Sequence, residues 1–306
     1  MSLTESQLAA RRLCLGASEI AAIVGEDPYK DPFSLWAEKT GKVPILDAGE
    51  AAAWGNILEP VIAKCAGDAL GKRVVKSTGT FAHPSLDFVR ANLDYFVDQC
   101  KRGNAPVECK STCLSDGWGE EGTGEVPSRV YIQVMMQMRC SDSAFAHVAR
   151  LFHSFNHPKF SMYTVAFSKS TADMLDDAAG IFWDNHVIKD VPPEASALSL
   201  PALSRLRRDS KCVEVAPEIV QGYVDARRIA KESEEAADEA KAKLLHALGA
   251  GDAAEAAGHR IKYAEIRREG FDHTRFAQEN PSVASQFTKS TSYRRLDVRA
   301  IKEKKE

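Results

Sequence analysis

The feature that most constrains the fold of this chain is an acidic residue, Asp94, followed fourteen positions later by the triplet Glu108-Cys109-Lys110. The pattern predicts two short strands joined by a turn over residues 101–104. Because side chains alternate across a strand, Glu108 and Lys110 should share one face while Cys109 points to the other. Two adjacent carboxylates repel each other unless a cation or a proton lies between them. The pattern therefore indicates an oxygen-ligand metal site, which suits Mg²⁺.

A second interpretation of these residues stays open. Ordinary usage of Glu and Lys gives on the order of one Glu-x-Lys triplet in a chain of this length, so Glu108 and Lys110 could form a solvated strand face. The spacing from Asp94 and the strand–turn–strand context favour the metal site.

The order of helical and extended patterns predicts an α/β fold with a mixed central sheet flanked by helices. Helical periodicity is strong over residues 54–70, where apolar residues recur every three or four positions. Further helices are predicted at 16–25, 32–40, 129–140 and 171–188, and extended segments at 73–76, 79–83, 88–97, 106–110, 144–154 and 161–167.

Three prolines between residues 190 and 203 indicate a linker. We therefore predict a domain over residues 1–195 and a C-terminal extension over residues 196–306, leaving open whether the extension packs on the core. The extension should contain a long charged helix at 217–248 and a small β region with strands at 259–266 and 292–301. Residues 289–306 carry seven basic and three acidic side chains, which could contact duplex phosphates or form a solvated tail.

Composition excludes several classes of protein. The net charge is −3, so any nucleic-acid interface must be local. No apolar run approaches the roughly 20 residues that span a bilayer, and the N-terminus lacks the pattern of a secretion signal. We expect a cytoplasmic protein without a membrane partner. The seven cysteines have no CxxC spacing, which favours reduced thiols over a zinc or iron–sulfur site.

Four short blocks occur in order along residues 11–190. They are Arg11–Glu19 followed by Pro28-Tyr29-Lys30 and Leu35-Trp36, then Trp54–Glu59, then Ala91–Tyr95 with Val107–Ser111, and last Tyr131–Met138. The ordered set resembles the PD-(D/E)XK nucleases, specifically the family of lambda exonuclease and the YqaJ-type viral recombinases. Two departures are that Leu93 stands in place of the proline that names the superfamily, and that Tyr95 replaces a small residue.

The resemblance implies a restriction-endonuclease-like core and a set of site residues. It implies Mg²⁺, with Mn²⁺ as a substitute, held by Asp94, Glu108 and the main-chain carbonyl of Cys109. The catalytic residues that it implies are Lys110, Glu59 near the metal, and Gln133, which would position the water or the scissile phosphate.

A site for a DNA end is predicted near the N-terminus. A helix that begins at Ser18 offers free main-chain N–H groups and a hydroxyl to a terminal phosphate, and Arg11 or Arg12 could add a bidentate contact. Ser18 could also be an ordinary helix N-cap, and both arginines could be solvated. The resemblance places one arginine and this serine at the end-binding site, and Arg11 has the better spacing.

The activity implied by the resemblance is 5′→3′ exonuclease digestion of double-stranded DNA ends. Such an enzyme leaves 3′ single-stranded overhangs for phage-type recombination with a single-strand annealing protein, and the family implies a homotrimer. Two alternatives stay open. One is a structure-specific or restriction-like DNA endonuclease, and the other is a non-catalytic scaffold that binds DNA ends.

Overall fold

The computed structural model describes residues 5–45, 49–98, 105–153, 157–208, 212–289 and 296–298, with side chains from residue 9 onward. The chain divides into two compact units, Met1–Arg208 and Asp209–Glu306. No helix in these ranges combines the length and the apolar character needed to cross a bilayer.

Unit 1 is built around a mixed five-stranded sheet with the strand order β2-β5-β6-β7-β8. Strands β6 and β7 are parallel, whereas the other neighbours are antiparallel. This arrangement confirms the predicted α/β class with a mixed sheet. The strands are β2 Val74–Lys76, β5 Tyr95–Val97, β6 Ala105–Thr112, β7 Phe145–Phe152 and β8 Lys159–Ala166.

A smaller sheet has the order β1-β4-β3, with strands β1 Leu15–Gly16, β3 Thr80–Ala82 and β4 Val89–Asn92. The prediction of one extended segment over residues 88–97 was wrong. The chain leaves β4 at Asn92 and enters β5 at Tyr95 in the other sheet. Asp94 lies at this crossing between the two sheets. The predicted turn at 101–104 lies outside the described residues.

Helices cover both faces of the central sheet. Ile62 and Ala66 of α4 pack on one face against Val107 and Ala149. Helix α5 packs on the opposite face, where Val148 belongs to the larger core, and α6 packs against α5. Val148 and Ala149 are neighbours on β7, so strand alternation divides them between the two faces. The helices of unit 1 are α1 Glu5–Arg12, α2 Ile20–Ile23, α3 Pro32–Lys39, α4 Gly49–Leu70, α5 Ser128–Ser141, α6 Lys169–Phe182 and α7 Leu200–Arg205.

The segment that precedes the unit boundary packs on unit 1. A 3₁₀ turn at Ala197–Ser199 leads into α7, and Ser199 and Ala202 are buried. The Ser199 hydroxyl donates a hydrogen bond to Asp31, the N-cap of α3. Residues 197–205 are therefore helical rather than an extended linker. The structural boundary follows Arg208, whereas the sequence places the division after residue 195.

Unit 2 contains the predicted long helix, α8, with bounds Pro217–Leu248. A hairpin of β9, Ala253–Ala256, and β10, His259–Lys262, follows it. Two short helices, α9 His273–Glu279 and α10 Pro281–Gln286, complete the described part. No described residue of unit 2 is buried. Most of the strand predicted at 292–301 and of the basic tail lies outside the described residues.

Candidate active site

Glu108 on β6 is buried and accepts hydrogen bonds from three side chains. Its Oε1 atom accepts from Lys110 Nζ at 2.6 Å and from Gln133 Nε2 at 2.7 Å. Its Oε2 atom accepts from Gln137 Nε2 at 2.6 Å. Both glutamines lie on α5, one turn apart, and so project from one side of that helix. The carboxylate is therefore held between its own strand and α5.

Lys110 lies on the same strand face as Glu108, as the alternation predicts. Besides the Glu108 carboxylate, its amino group contacts Gln133 Oε1 at 2.9 Å. The Cys109 side chain lies on the other face, against the core cluster beneath α4. Burial and the nearby Asp94 carboxylate raise the pKa of the Cys109 thiol. Because the thiol lies on the face away from Glu108, the main-chain carbonyl is the part of Cys109 that could serve as a ligand.

Asp94 lies beside β6, where its Oδ2 atom accepts a hydrogen bond from the main-chain N–H of Cys109 at 2.9 Å. Burial, followed by the repulsion of Glu108, raises the pKa of Asp94 to about 8. In the absence of a compensating cation, this carboxyl therefore holds its proton more tightly than an ordinary aspartate does. A divalent cation between the two carboxylates would reverse this effect.

Glu59 lies on α4 and forms an ion pair with Lys76 of β2. It makes no hydrogen bond to Asp94 or Glu108 among the described residues, but its charge contributes to the raised pKa of Asp94. The Lys76 amino group also lies 4.9 Å from the centre of the Tyr95 ring. Glu59 is thus near the carboxylate pair, and Lys76 partly neutralises it.

A cleft of about 750 Å³ opens beside this network. Arg11, Ser18 and Gln133 line it together, so the predicted end-binding residues share a cavity with one member of the Glu108 network. Arg90 of β4 adds a second cation that the sequence analysis missed. The Arg12 guanidinium does not line this cleft and lies beside Gly41 instead.

Ser18 does not cap a helix, and that expectation was wrong. The N-cap is Gly16, whose main-chain N–H donates to the Glu19 carboxylate at 2.8 Å, and Ser18 lies inside the 3₁₀ turn Ala17–Glu19. Glu19 is held in turn by Lys39, whose Nζ atom is 2.6 Å away. The Ser18 side chain is exposed to the cleft rather than used in capping.

The donor chemistry of the site fits a hard cation. Among the described residues, no group of three or more His, Cys, Asp or Glu side chains is close enough to hold a metal ion. The predicted set differs from such a group, since it consists of two carboxylates and one main-chain carbonyl. Oxygen donors of this kind suit Mg²⁺, which keeps several of its own waters.

Residues 7–144, which include the whole Glu108 network and the cleft, match the sequence profile of the YqaJ-like viral recombinase domain. Residues 7–144 are thus similar to a YqaJ-like viral recombinase domain, and this segment is called the YqaJ-like domain. The chain is also 24% identical over 304 residues to the uncharacterized protein YqaJ of Bacillus subtilis strain 168, covering 95% of this chain and 92% of that protein.

Two solved structures resemble this chain at lower sequence identity. The alkaline exonuclease LHK-Exo from Laribacter hongkongensis is 15% identical with a TM-score of 0.46, covering 61% of this chain and 94% of that one. A phage related exonuclease from Haemophilus somnus 129PT is 13% identical with a TM-score of 0.44, covering 58% and 97% respectively.

Three residues of the YqaJ-like domain escaped the sequence analysis. Gln137 had a usable signal, since it follows Gln133 by four positions on one helix. Lys76 and Arg90 had none, because their places depend on strand pairing. Arg90 is opposite Gly16 in the β1–β4 register, and Lys76 is opposite Tyr95 in the β2–β5 register.

Proposed function

We propose that this chain is a metal-dependent exonuclease that digests the 5′-ended strand of double-stranded DNA ends. The product would be a 3′ single-stranded overhang for homologous recombination by strand annealing. The observation that carries the proposal is the Glu108 carboxylate, which accepts hydrogen bonds from Lys110 and Gln133 beside a cleft lined by Arg11 and Ser18. The YqaJ-like viral recombinase domain supports a role in recombination.

Asp94, Glu108 and the Cys109 carbonyl are the proposed ligands of Mg²⁺, with Mn²⁺ as a substitute. When bound, the ion would supply a Lewis acid that neutralises charge on the scissile phosphate. The raised pKa of Asp94 supports this assignment, since two close carboxylates in a buried site need a compensating cation.

Lys110 is the proposed catalytic lysine. Glu108 and Gln133 hold its amino group from two sides, so few rotamers are open to it. A lysine fixed in this way can orient the attacking water by hydrogen bonding and can offset the charge that develops on the phosphate. Gln133 contacts both Glu108 and Lys110 and lines the cleft. It would therefore set the position of the phosphate relative to the amino group.

The Arg11 side of the cleft is proposed to bind the terminal 5′-phosphate. Arg11 and Arg90 bring two cations to the cavity, and Ser18 brings a hydroxyl. Glu19 offsets little of this charge because it is already paired with Lys39 at 2.6 Å, whereas Arg11 is 4.0 Å from it. A doubly charged terminal phosphate fits this composition better than an internal phosphodiester does.

The remaining parts of the proposal concern assembly and location. A single-strand annealing protein is the proposed partner, because a 3′ overhang is the substrate of such a protein. A homotrimer and a cytoplasmic location complete the proposal, and both rest on the family resemblance.

The test is digestion of a linear duplex that carries one 5′-phosphorylated end, with each strand labelled separately, in Mg²⁺ or in EDTA. Loss of the 5′-ended strand alone, in Mg²⁺ alone, is the expected result. Lys110→Ala should abolish cleavage while duplex binding survives. Lys64→Ala is the matched control, since Lys64 is an exposed lysine on α4, and it should cleave at the wild-type rate.

The alternatives give different outcomes in the same assay. Cleavage of covalently closed circular DNA would identify an endonuclease. Binding of the duplex without loss of either strand would identify a scaffold. Wild-type turnover by Lys110→Ala would refute the assignment of the active site.

A further inference from the structure

Within unit 2, helix α8 is exposed along its whole length. It has 32 residues and is about 48 Å long, yet none of its side chains is buried. Ile219, Tyr223 and Leu244 are between 42% and 65% exposed. A helix in a folded protein gains most of its stability from packing an apolar face. Unit 2 offers no cover for this helix, since none of its described residues is buried.

Besides Val220, Val224 and Ile229, which lie outside it, α8 carries one continuous seam of nine mostly small side chains, which we call the α8 seam. They recur at alternating intervals of four and three, the 3.5-residue period of a coiled coil, and the pattern holds for four heptads. The α8 seam consists of Ile219, Tyr223, Ala226, Ala230, Ser233, Ala237, Ala240, Leu244 and Ala247. A seam of this length and period fits another helix rather than a small ligand.

Charges on the outer face of α8 are paired within the helix. Arg228 contacts Asp225 at 3.5 Å and Glu232 at 3.0 Å. Lys231 contacts Glu235 at 3.5 Å. These pairs lie away from the α8 seam and stabilise the helix itself.

Two charged side chains directly beside the α8 seam, unlike those of the outer face, are not paired within the helix. Arg227 follows Ala226, and Glu234 follows Ser233, so both occupy the flanking position that contacts a partner helix in a coiled coil. Neither has an ion-pair partner among the described residues, although their neighbours do. The charges have opposite signs and lie seven residues apart, which is one heptad.

We propose that α8 pairs with α8 of a second copy of this chain, as an antiparallel coiled coil. The seam sets the register: Ala230 lies opposite Ser233 of the second copy. Tyr223 then lies opposite Ala240 of the second copy. Tyr223 therefore meets a small residue, Ala226 lies opposite Ala237, and Ile219 lies opposite Leu244 at each end of the seam.

The charges favour the antiparallel direction. In this register Arg227 lies beside Glu234 of the second copy, and two-fold symmetry makes the contact twice. On the other flank, Ile229 lies beside Ala236 of the second copy, so apolar residues meet there. In a parallel pair, Glu234 would face Ile229 and Arg227 would face Gly222, and neither charge would find a partner. On the flank of Arg227, Lys241 lies beside Val220 of the second copy and gains no ion pair. The second copy is thus the occupant that supplies the opposite charge to Arg227 and to Glu234.

The experiment is sedimentation velocity of the full chain over a concentration series, with charge-reversal variants. Two-fold pairing of α8 should join two of the proposed homotrimers, so the wild type should assemble into particles of six 33.5 kDa chains. Arg227→Glu places two like-charge pairs at the interface and should raise the dissociation constant on the order of tenfold. Glu234→Arg should do the same. An equimolar mixture of the two variants should recover wild-type assembly, because each restores the opposite charge to the other.

Asp238→Lys is the matched control, since it makes the same acidic-to-basic change as Glu234→Arg at a position of α8 outside the seam and its flanks, where Asp238 forms no ion pair among the described residues. It should leave assembly unchanged, and circular dichroism should show that all variants keep their helix content. A wild type that is a monomer or a single trimer overturns the proposal. Failure of the mixed variants to recover assembly overturns it as well. No step of this test depends on DNA cleavage.

Discussion

Replacement of Asp31 by Asn should destabilise unit 1 by an amount that follows from its hydrogen bonds. Asp31 is 5% exposed and forms the N-cap of α3. One carboxylate oxygen accepts from the main-chain N–H of Ser34 at 2.9 Å. The other accepts from the Ser196 hydroxyl at 2.6 Å and from the Ser199 hydroxyl. One carboxylate therefore joins α3 to a segment 165 or more positions away.

The pKa of Asp31 sets the size of the effect. Burial alone raises this pKa, but the hydrogen bonds from Ser196, Ser199 and Ser34 outweigh burial and lower it from 3.8 to about 2. Each tenfold change in proton affinity corresponds to about 1.4 kcal/mol, so the ionised carboxylate contributes about 2 kcal/mol. Because the pKa is lowered on folding, this stability is present above pH 3.8. It is lost as the pH falls towards about 2.

Urea unfolding followed by tryptophan fluorescence measures this contribution. At neutral pH, Asp31→Asn should lose about 2 kcal/mol of unfolding free energy, and the deficit should shrink as the pH falls below 3.8. Asp190→Asn is the control, since Asp190 forms an exposed pair with Lys42 that is worth about 0.5 kcal/mol or less. The reasoning is refuted if Asp31→Asn matches the wild type at neutral pH, or if its deficit is the same at every pH.

Two further predictions concern the site. Gln137→Ala removes the 2.6 Å hydrogen bond that holds Glu108 Oε2 and should lower the cleavage rate by about 10- to 100-fold. The control Gln221→Ala, in an exposed stretch of α8, should not change the rate. Equal steady-state rates for Gln137→Ala and the wild type would contradict the positioning role. Arg11→Ala should reduce the preference for a 5′-phosphorylated over a 5′-hydroxyl end, as measured by initial rates on the two ends. Arg12→Ala should keep this preference, because of these two arginines only Arg11 lines the cleft. An equal loss of preference in both variants would show that the cleft does not bind the terminal phosphate.

Local patterns were sufficient for several elements. The bounds of α8 match the predicted 217–248, because helical periodicity and a proline at the first turn are local signals. Strand alternation placed Glu108 and Lys110 on one face, and their hydrogen bond is present. The four-residue spacing of Gln133 and Gln137 could also have revealed that both glutamines reach one point.

Only the tertiary structure decided how these elements meet. The apolar pattern of residues 88–97 reads as one strand, yet β4 pairs with β1 and β3 while β5 pairs with β2 and β6. Asp94 lies beside Cys109 because the chain crosses from one sheet to the other at this point. Asp31 and Ser199 are 168 positions apart. Such contacts depend on which surfaces pack together when the chain collapses, and a short stretch of sequence specifies only its own periodicity and caps.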